Sequence, residues 1–145
     1  MRRNVLILED KKSHRENICR IISGLNLDIK VYAAADIQNA YQISMENHIH
    51  LFVVDIILCP ENPGDVQGLE FAQEIREVKK YQFTPLIFIT SLEDPQLYSY
   101  SELQCFNYIE KPFDTDQVKK MVLKALQFPI VDDAERPLYF RKDGI

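Results

Sequence analysis

The stretch HLFVVDIILCPENPGDVQG, residues 50–68, decides how the chain reads. Leu51, Phe52, Val53 and Val54 form an unbroken apolar run, and Asp55 ends it before Ile56, Ile57 and Leu58. A short apolar run without alternation suits a strand covered on both faces, as in a parallel sheet. Moving a lone carboxylate out of water costs on the order of several kcal/mol, so an acid at the tip of such a strand needs partners or a task.

Comparable runs lie on either side. NVLIL (4–8), IKVYA (29–33), PLIFIT (85–90) and CFNYIE (105–110) read as further strands. Helical patterns separate them. Ser13 and Glu16 form a capping box ahead of Ile18, Ile21, Ile22 and Leu25, with Gly24 at the end. Asp36 caps a helix carrying Ile37, Ala40, Tyr41 and Met45, and Gly68 opens one with Leu69, Ala72, Ile75 and Val78. Asp94-Pro95 starts a short segment to about residue 104, and Asp114 precedes Val118, Met121, Val122, Ala125 and Leu126. Five strand–helix units predict an α/β fold, with right-handed crossovers placing helices on both faces of a parallel sheet. The second strand, flanked and broken by Asp28 and Lys30, suits an edge.

Composition bounds the function. At 145 residues and 46% hydrophobic content the chain supports one core and argues against disorder. A net charge of −5 argues against a grip on DNA or an anionic membrane by this piece alone. Cys19, Cys59 and Cys105 are an odd number without close spacing. They fit neither a disulfide framework nor a zinc site and point to a reducing compartment. MRRNVLIL is too short for a signal peptide and no segment is long enough to span a bilayer, so a cytoplasmic location is expected.

In open parallel sheets the site lies beyond the carboxyl ends of the strands. At those ends stand Glu9-Asp10, Asp55, Thr90-Ser91 and Lys111-Pro112. Three clustered carboxylates need a cation to stay ionised together, and oxygen ligands with room for water suit Mg²⁺. An ammonium and a hydroxyl beside that ion can hold further anionic oxygens. A carboxylate nucleophile completes a phosphoryl-transfer site.

With these residues in this chain order, the sequence resembles the receiver domain of two-component response regulators over roughly residues 3 to 128. Glu9-Asp10, Asp55, Thr90 and Lys111-Pro112 match the family pattern, and Tyr108 occupies its aromatic position three residues before the lysine. The resemblance implies a flavodoxin-like (βα)5 doubly wound sheet of five parallel strands in the order 2-1-3-4-5. It implies that Asp55 is phosphorylated by a sensor histidine kinase or a small phosphodonor. It also implies that Asp10, Asp55 and the backbone carbonyl of Ile57 ligate Mg²⁺, with Glu9 acting directly or through water. Lys111 would pair with the phosphoryl oxygens, Thr90 would turn its hydroxyl toward them, and Tyr108 would change rotamer between states. The Lys111–Pro112 bond is expected to be cis. The only catalysis expected is self-phosphorylation and self-dephosphorylation.

The loop between Asp55 and Gly68 is longer than the family's usual one, and this resembles regulators with a LytTR-type DNA-binding output. Its acids Glu61 and Asp65 are expected to be solvated. Residues 1–128 are expected to form the receiver. In residues 129–145, DDAERP reads as a linker and LYFRKDG as a strand. Either that strand docks on the receiver or it begins an output domain missing from this chain. DNA contact and transcriptional control would come only through such a domain, with phosphorylation favouring a homodimer. Two other readings stand beside this one. The first is an Mg²⁺-dependent phosphohydrolase with an aspartyl nucleophile, which would want an acid where Ile57 stands. The second is a receiver-like binding module that works without phosphorylation.

Overall fold

Every residue of the strand Leu51–Asp55 is buried, because helices cover both of its faces. The computed structural model describes residues 2–58, 67–91 and 107–127. Its elements are β1 (Arg3–Leu8), α1 (Lys12–Ser23), β2 (Ile29–Ala34), α2 (Ile37–Glu46), β3 (Leu51–Asp55) and α3 (Gln67–Arg76), followed by a 3₁₀ turn (Lys79–Tyr81), β4 (Leu86–Ser91), β5 (Asn107–Lys111) and α4 (Thr115–Leu126). The strands form one sheet in the order β2-β1-β3-β4-β5, with every neighbouring pair parallel. The half-polar β2 is an edge strand, as its sequence predicts.

The unbroken apolar runs divide by the period of two that a pleated strand imposes. Leu6, Leu8, Phe52, Val54, Leu86 and Phe88 face Ala40 of α2 and Phe71, Ala72 and Ile75 of α3. Val5, Ile7, Leu51, Val53, Ile87 and Ile89 face Ile18 and Ile22 of α1 and Val118 and Val122 of α4. Strand order reverses between β1 and β3. The chain leaves β1 toward β2 on one side and returns to place β3 on the other, which opens a crevice at the carboxyl ends of β1 and β3.

Local structure departs from the sequence reading in two places. Helix α1 begins at Lys12 with Lys11 as its cap residue, so Ser13 lies inside the first turn and no capping box forms. Its main chain closes there through the Arg15 N–H to the Lys11 carbonyl at 2.9 Å. In α2, Met45 is 55% exposed and the buried position is Ser44. The Ser44 hydroxyl donates to the Ala40 carbonyl at 2.7 Å, which lets a polar residue occupy the core face. Tyr81 then locks the end of α2 to the start of β3. Its hydroxyl donates to the Ser44 carbonyl at 2.6 Å and accepts the Ile49 N–H at 3.2 Å. The expected cap at Asp36 is present, with its carboxylate accepting the Asn39 N–H at 2.8 Å. The long loop at 59–66, the segment starting at Asp94-Pro95 and the tail 129–145 lie outside the described residues.

Candidate functional site

β1 and β3 pair in register from Val5–Leu51 to Leu8–Val54, so the residues that follow them emerge side by side. Glu9 is 1% exposed and Asp55 4%, while Asp10 is partly open to solvent. One oxygen from each of the three carboxylates lies within 4.8 Å of the others. Lys111, at the end of β5, reaches across the rim. Its Nζ is 2.9 Å from Asp55 Oδ2 and 3.0 Å from Glu9 Oε1. The peptide bond from Lys111 to Pro112 is cis. The Ile57 N–H donates to Asp55 Oδ1 at 3.2 Å and so holds one carboxylate oxygen while the other faces the ammonium.

Three carboxylates and one ammonium leave the cluster with excess negative charge. Burial, and then Glu9 beside it, push Asp55 up to about 8 against the pull of Lys111. Burial and Glu9 likewise raise Asp10. Burial would raise Glu9 too, but its bonding with Asp55 and the Lys111 charge outweigh this and hold it below its usual value. Burial opposes the charge on Lys111, but Asp55 and Glu9 outweigh it and raise the ammonium's pKa.

The donor set fits a hard divalent cation. Glu9 Oε2 is buried and has no hydrogen-bond partner among the described residues, an arrangement a bound cation would relieve. Magnesium takes oxygen ligands at about 2.0–2.1 Å, so two ligands on one ion stand up to about 4.2 Å apart, close to the spacing of these carboxylates. The structure thus brings Glu9, Asp10, Asp55 and Lys111 together. Ile57 is held at the rim by its N–H bond to Asp55. Thr90 stands on β4 opposite Glu110 of β5, but its side chain lies outside the described part of the molecule. Tyr108 lies on β5 in register with Phe88 and is 36% exposed.

Two residues of the site carry no signal in the sequence pattern. Arg15, on the first turn of α1, donates from Nη1 to the carbonyl of Glu9 at 2.9 Å and to that of Asp10 at 3.1 Å. His14 places Nδ1 3.5 Å from Glu9 Oε1. A basic residue on a helix reads as a solvated charge until the fold puts the strand end beneath it. Gly68 was legible as a helix start and as the end of the long loop after Asp55, but its contact with the strand was not. In the structure its N–H donates to the Ile56 carbonyl at 2.9 Å, and an added Cβ would meet the Asp55 carbonyl and stand 2.8 Å from Ile56 Cα.

Comparison with known proteins agrees with this geometry. The model of the response regulator receiver domain family matches residues 5–123. The response regulator Rre1 of Synechocystis is 26% identical over 125 residues, which is 85% of this chain and 51% of that protein. The transcriptional regulatory protein SrrA of Staphylococcus aureus is 28% identical over 139 residues, 93% of this chain and 54% of that protein. The chain therefore spans about half the length of these relatives. Among solved structures, the chemotaxis response regulator CheY4 of Vibrio cholerae superposes with a TM-score of 0.73 at 21% identity, covering 87% of this chain and all of the other, and so shares its fold.

Proposed function

The chain belongs to the response regulator receiver domain family, and on that premise we propose that it is a phosphorylation-controlled switch whose acceptor is Asp55. Receiver domains serve two-component signalling, in which histidine kinases are the phosphoryl donors. In this chain an Asp55 carboxylate oxygen attacks the phosphorus of a kinase phosphohistidine or of an acyl phosphate. The P–N or P–O bond breaks, and the leaving group departs with its electron pair. Asp10, Asp55 and the Ile57 carbonyl would hold Mg²⁺, with Glu9 beside them directly or through water. When bound there, the ion would supply positive charge to offset what gathers on the phosphoryl oxygens. Lys111 is already paired with Asp55 and would keep hold of the phosphoryl group once it arrives. Thr90 and Tyr108 would carry the change to the output face, and phosphorylation would favour a homodimer.

The observation that carries this reading is the bridge from Lys111 to both Asp55 and Glu9 beside the unpartnered Glu9 Oε2. Incubation with acetyl phosphate and Mg²⁺, read by intact mass, is expected to add one phosphoryl group. EDTA or Asp55→Asn is expected to abolish the adduct, and an adduct that survives either one defeats the assignment.

Residues 1–128 would be the receiver, and 129–145 a linker with the start of an output domain. In support, the match to SrrA covers 93% of the chain, which requires it to run past residue 128. The same relative is a transcriptional regulator. Transcriptional control through a DNA-binding output, of the LytTR type that the long loop suggests, is the form this function would take. Among the described residues no helix is long and apolar enough to cross a membrane, and we place the protein in the cytoplasm, where histidine kinases expose their donor domains.

A further inference from the structure

We propose that Arg15 is the positioning residue that presents the acid pair Glu9-Asp10 to the divalent cation; the inference rests on the reading of Glu9, Asp10 and Asp55 as the cation site. The two acids sit on the turn between β1 and α1, where the main chain has left the sheet and not yet entered the helix. The Glu9 N–H is still bonded to the Ala34 carbonyl of the neighbouring strand at 3.0 Å. The Glu9 and Asp10 carbonyls, by contrast, both turn to the guanidinium of Arg15. One Nη1, at 2.9 and 3.1 Å, therefore ties both carbonyls to the first turn of α1. That helix is itself anchored on the sheet by Ile18, Ile21 and Ile22. Both of these bonds go to main-chain carbonyl oxygens, so through them the arginine holds the backbone of the acid pair and leaves the carboxylate oxygens to the cation.

Fixing these two peptide units fixes the directions of the Glu9 and Asp10 side chains. Preorganised ligands bind more tightly because less freedom is lost on binding. Lysine keeps the charge and the donors, but its ammonium ends one bond short of the position of Nη1, so it is a partial substitute. Alanine leaves both without this donor.

The test is Mg²⁺ titration calorimetry on the full chain, with melting temperatures recorded in parallel. Wild type is compared with Arg15→Ala, Arg15→Lys and Tyr81→Phe. Tyr81→Phe removes the hydroxyl that joins Ile49 to Ser44, at the opposite end of the strands. It serves as a control for lost stability without a disturbed site. Arg15→Ala is expected to raise the Mg²⁺ Kd about tenfold, with Arg15→Lys in between and Tyr81→Phe at the wild-type value. Unchanged affinity in Arg15→Ala, or an equal loss in Tyr81→Phe, overturns the role given to Arg15 alone. Absence of Mg²⁺ binding by wild type overturns the cation site itself and this role with it.

Discussion

Gly68 lies against the carbonyl of Asp55 so closely that no side chain fits between them. Helix α3 therefore sets the position of the backbone that carries Asp55. Gly68→Ala forces α3 or the end of β3 to move. Overpacking of this kind costs about 1–3 kcal/mol, and a urea unfolding curve is expected to show a loss in that range. Because the shift falls on Asp55, Mg²⁺ affinity is expected to fall with it. A Gly68→Ala protein with wild-type stability and Mg²⁺ affinity would mean that α3 does not brace the site.

Asp55 makes the cation-free protein less stable as pH rises. Its folded pKa, about 8, lies above the ordinary 3.8, so the folded state holds the proton more tightly than the unfolded chain does. The stability this confers is complete below about pH 4 and is lost as pH climbs toward 8. Melting temperature in EDTA is expected to fall over that interval. Mg²⁺ competes with the proton, so the rise in melting temperature on adding it is expected to be larger at pH 8 than at pH 6. Asp55→Asn should be more stable than wild type in EDTA at pH 8 and gain little from Mg²⁺. A flat wild-type profile would contradict the charge excess described for the cluster.

His50 works in the opposite direction at the other end of the sheet. Its Nδ1 accepts the Asn4 N–H at 2.8 Å, which requires the unprotonated nitrogen. Burial first, then His48 and Arg3, lower its pKa from 6.5 to about 4. The unfolded chain therefore binds the proton more readily, and stability falls as pH drops from 6.5 toward 4. In the Asp55→Asn background, which removes the opposing trend, His50→Gln is expected to flatten this acid limb, because an amide oxygen accepts the same N–H without titrating. An equally steep limb in the two proteins would place the acid sensitivity elsewhere.

Tyr108 lies on β5 next to Phe88 of β4, two residues before Thr90 opposite Glu110. If these positions carry the signal, amide resonances around Tyr108 will shift on phosphorylation in wild type and shift less in Thr90→Ala. Equal shifts in the two proteins would show that the signal leaves the site by another route.

Much of this molecule was legible before folding. An apolar run without alternation marked β3 as covered on both faces, and the polar breaks at Asp28 and Lys30 marked β2 as an edge, because burial on both faces admits no polar position. Asp36 announced the start of α2 by its cap chemistry. Other features escaped. Ser13 looked like a cap but lies inside α1, since where a helix begins depends on how the preceding strand delivers the chain. Met45 sat on the apolar spacing of α2 but faces solvent, while Ser44 is buried, because Tyr81 meets α2 on that side.

By itself the sequence determined the periodicity of each element and the identity of the residues at four strand ends, which was enough to point to one family. Tertiary structure alone decided which of those residues meet. Lys111 and Glu9 stand 102 residues apart in the chain and 3.0 Å apart in space. Arg15, unremarkable on its helix, closes on the acid pair through bonds to main-chain oxygens. Gly68 touches Asp55 through backbone alone. Periodicity reports which face of an element is dry, a property of neighbouring residues. Ligand positions, shared protons and close backbone approach depend on distances between elements, and only the packed sheet sets those distances.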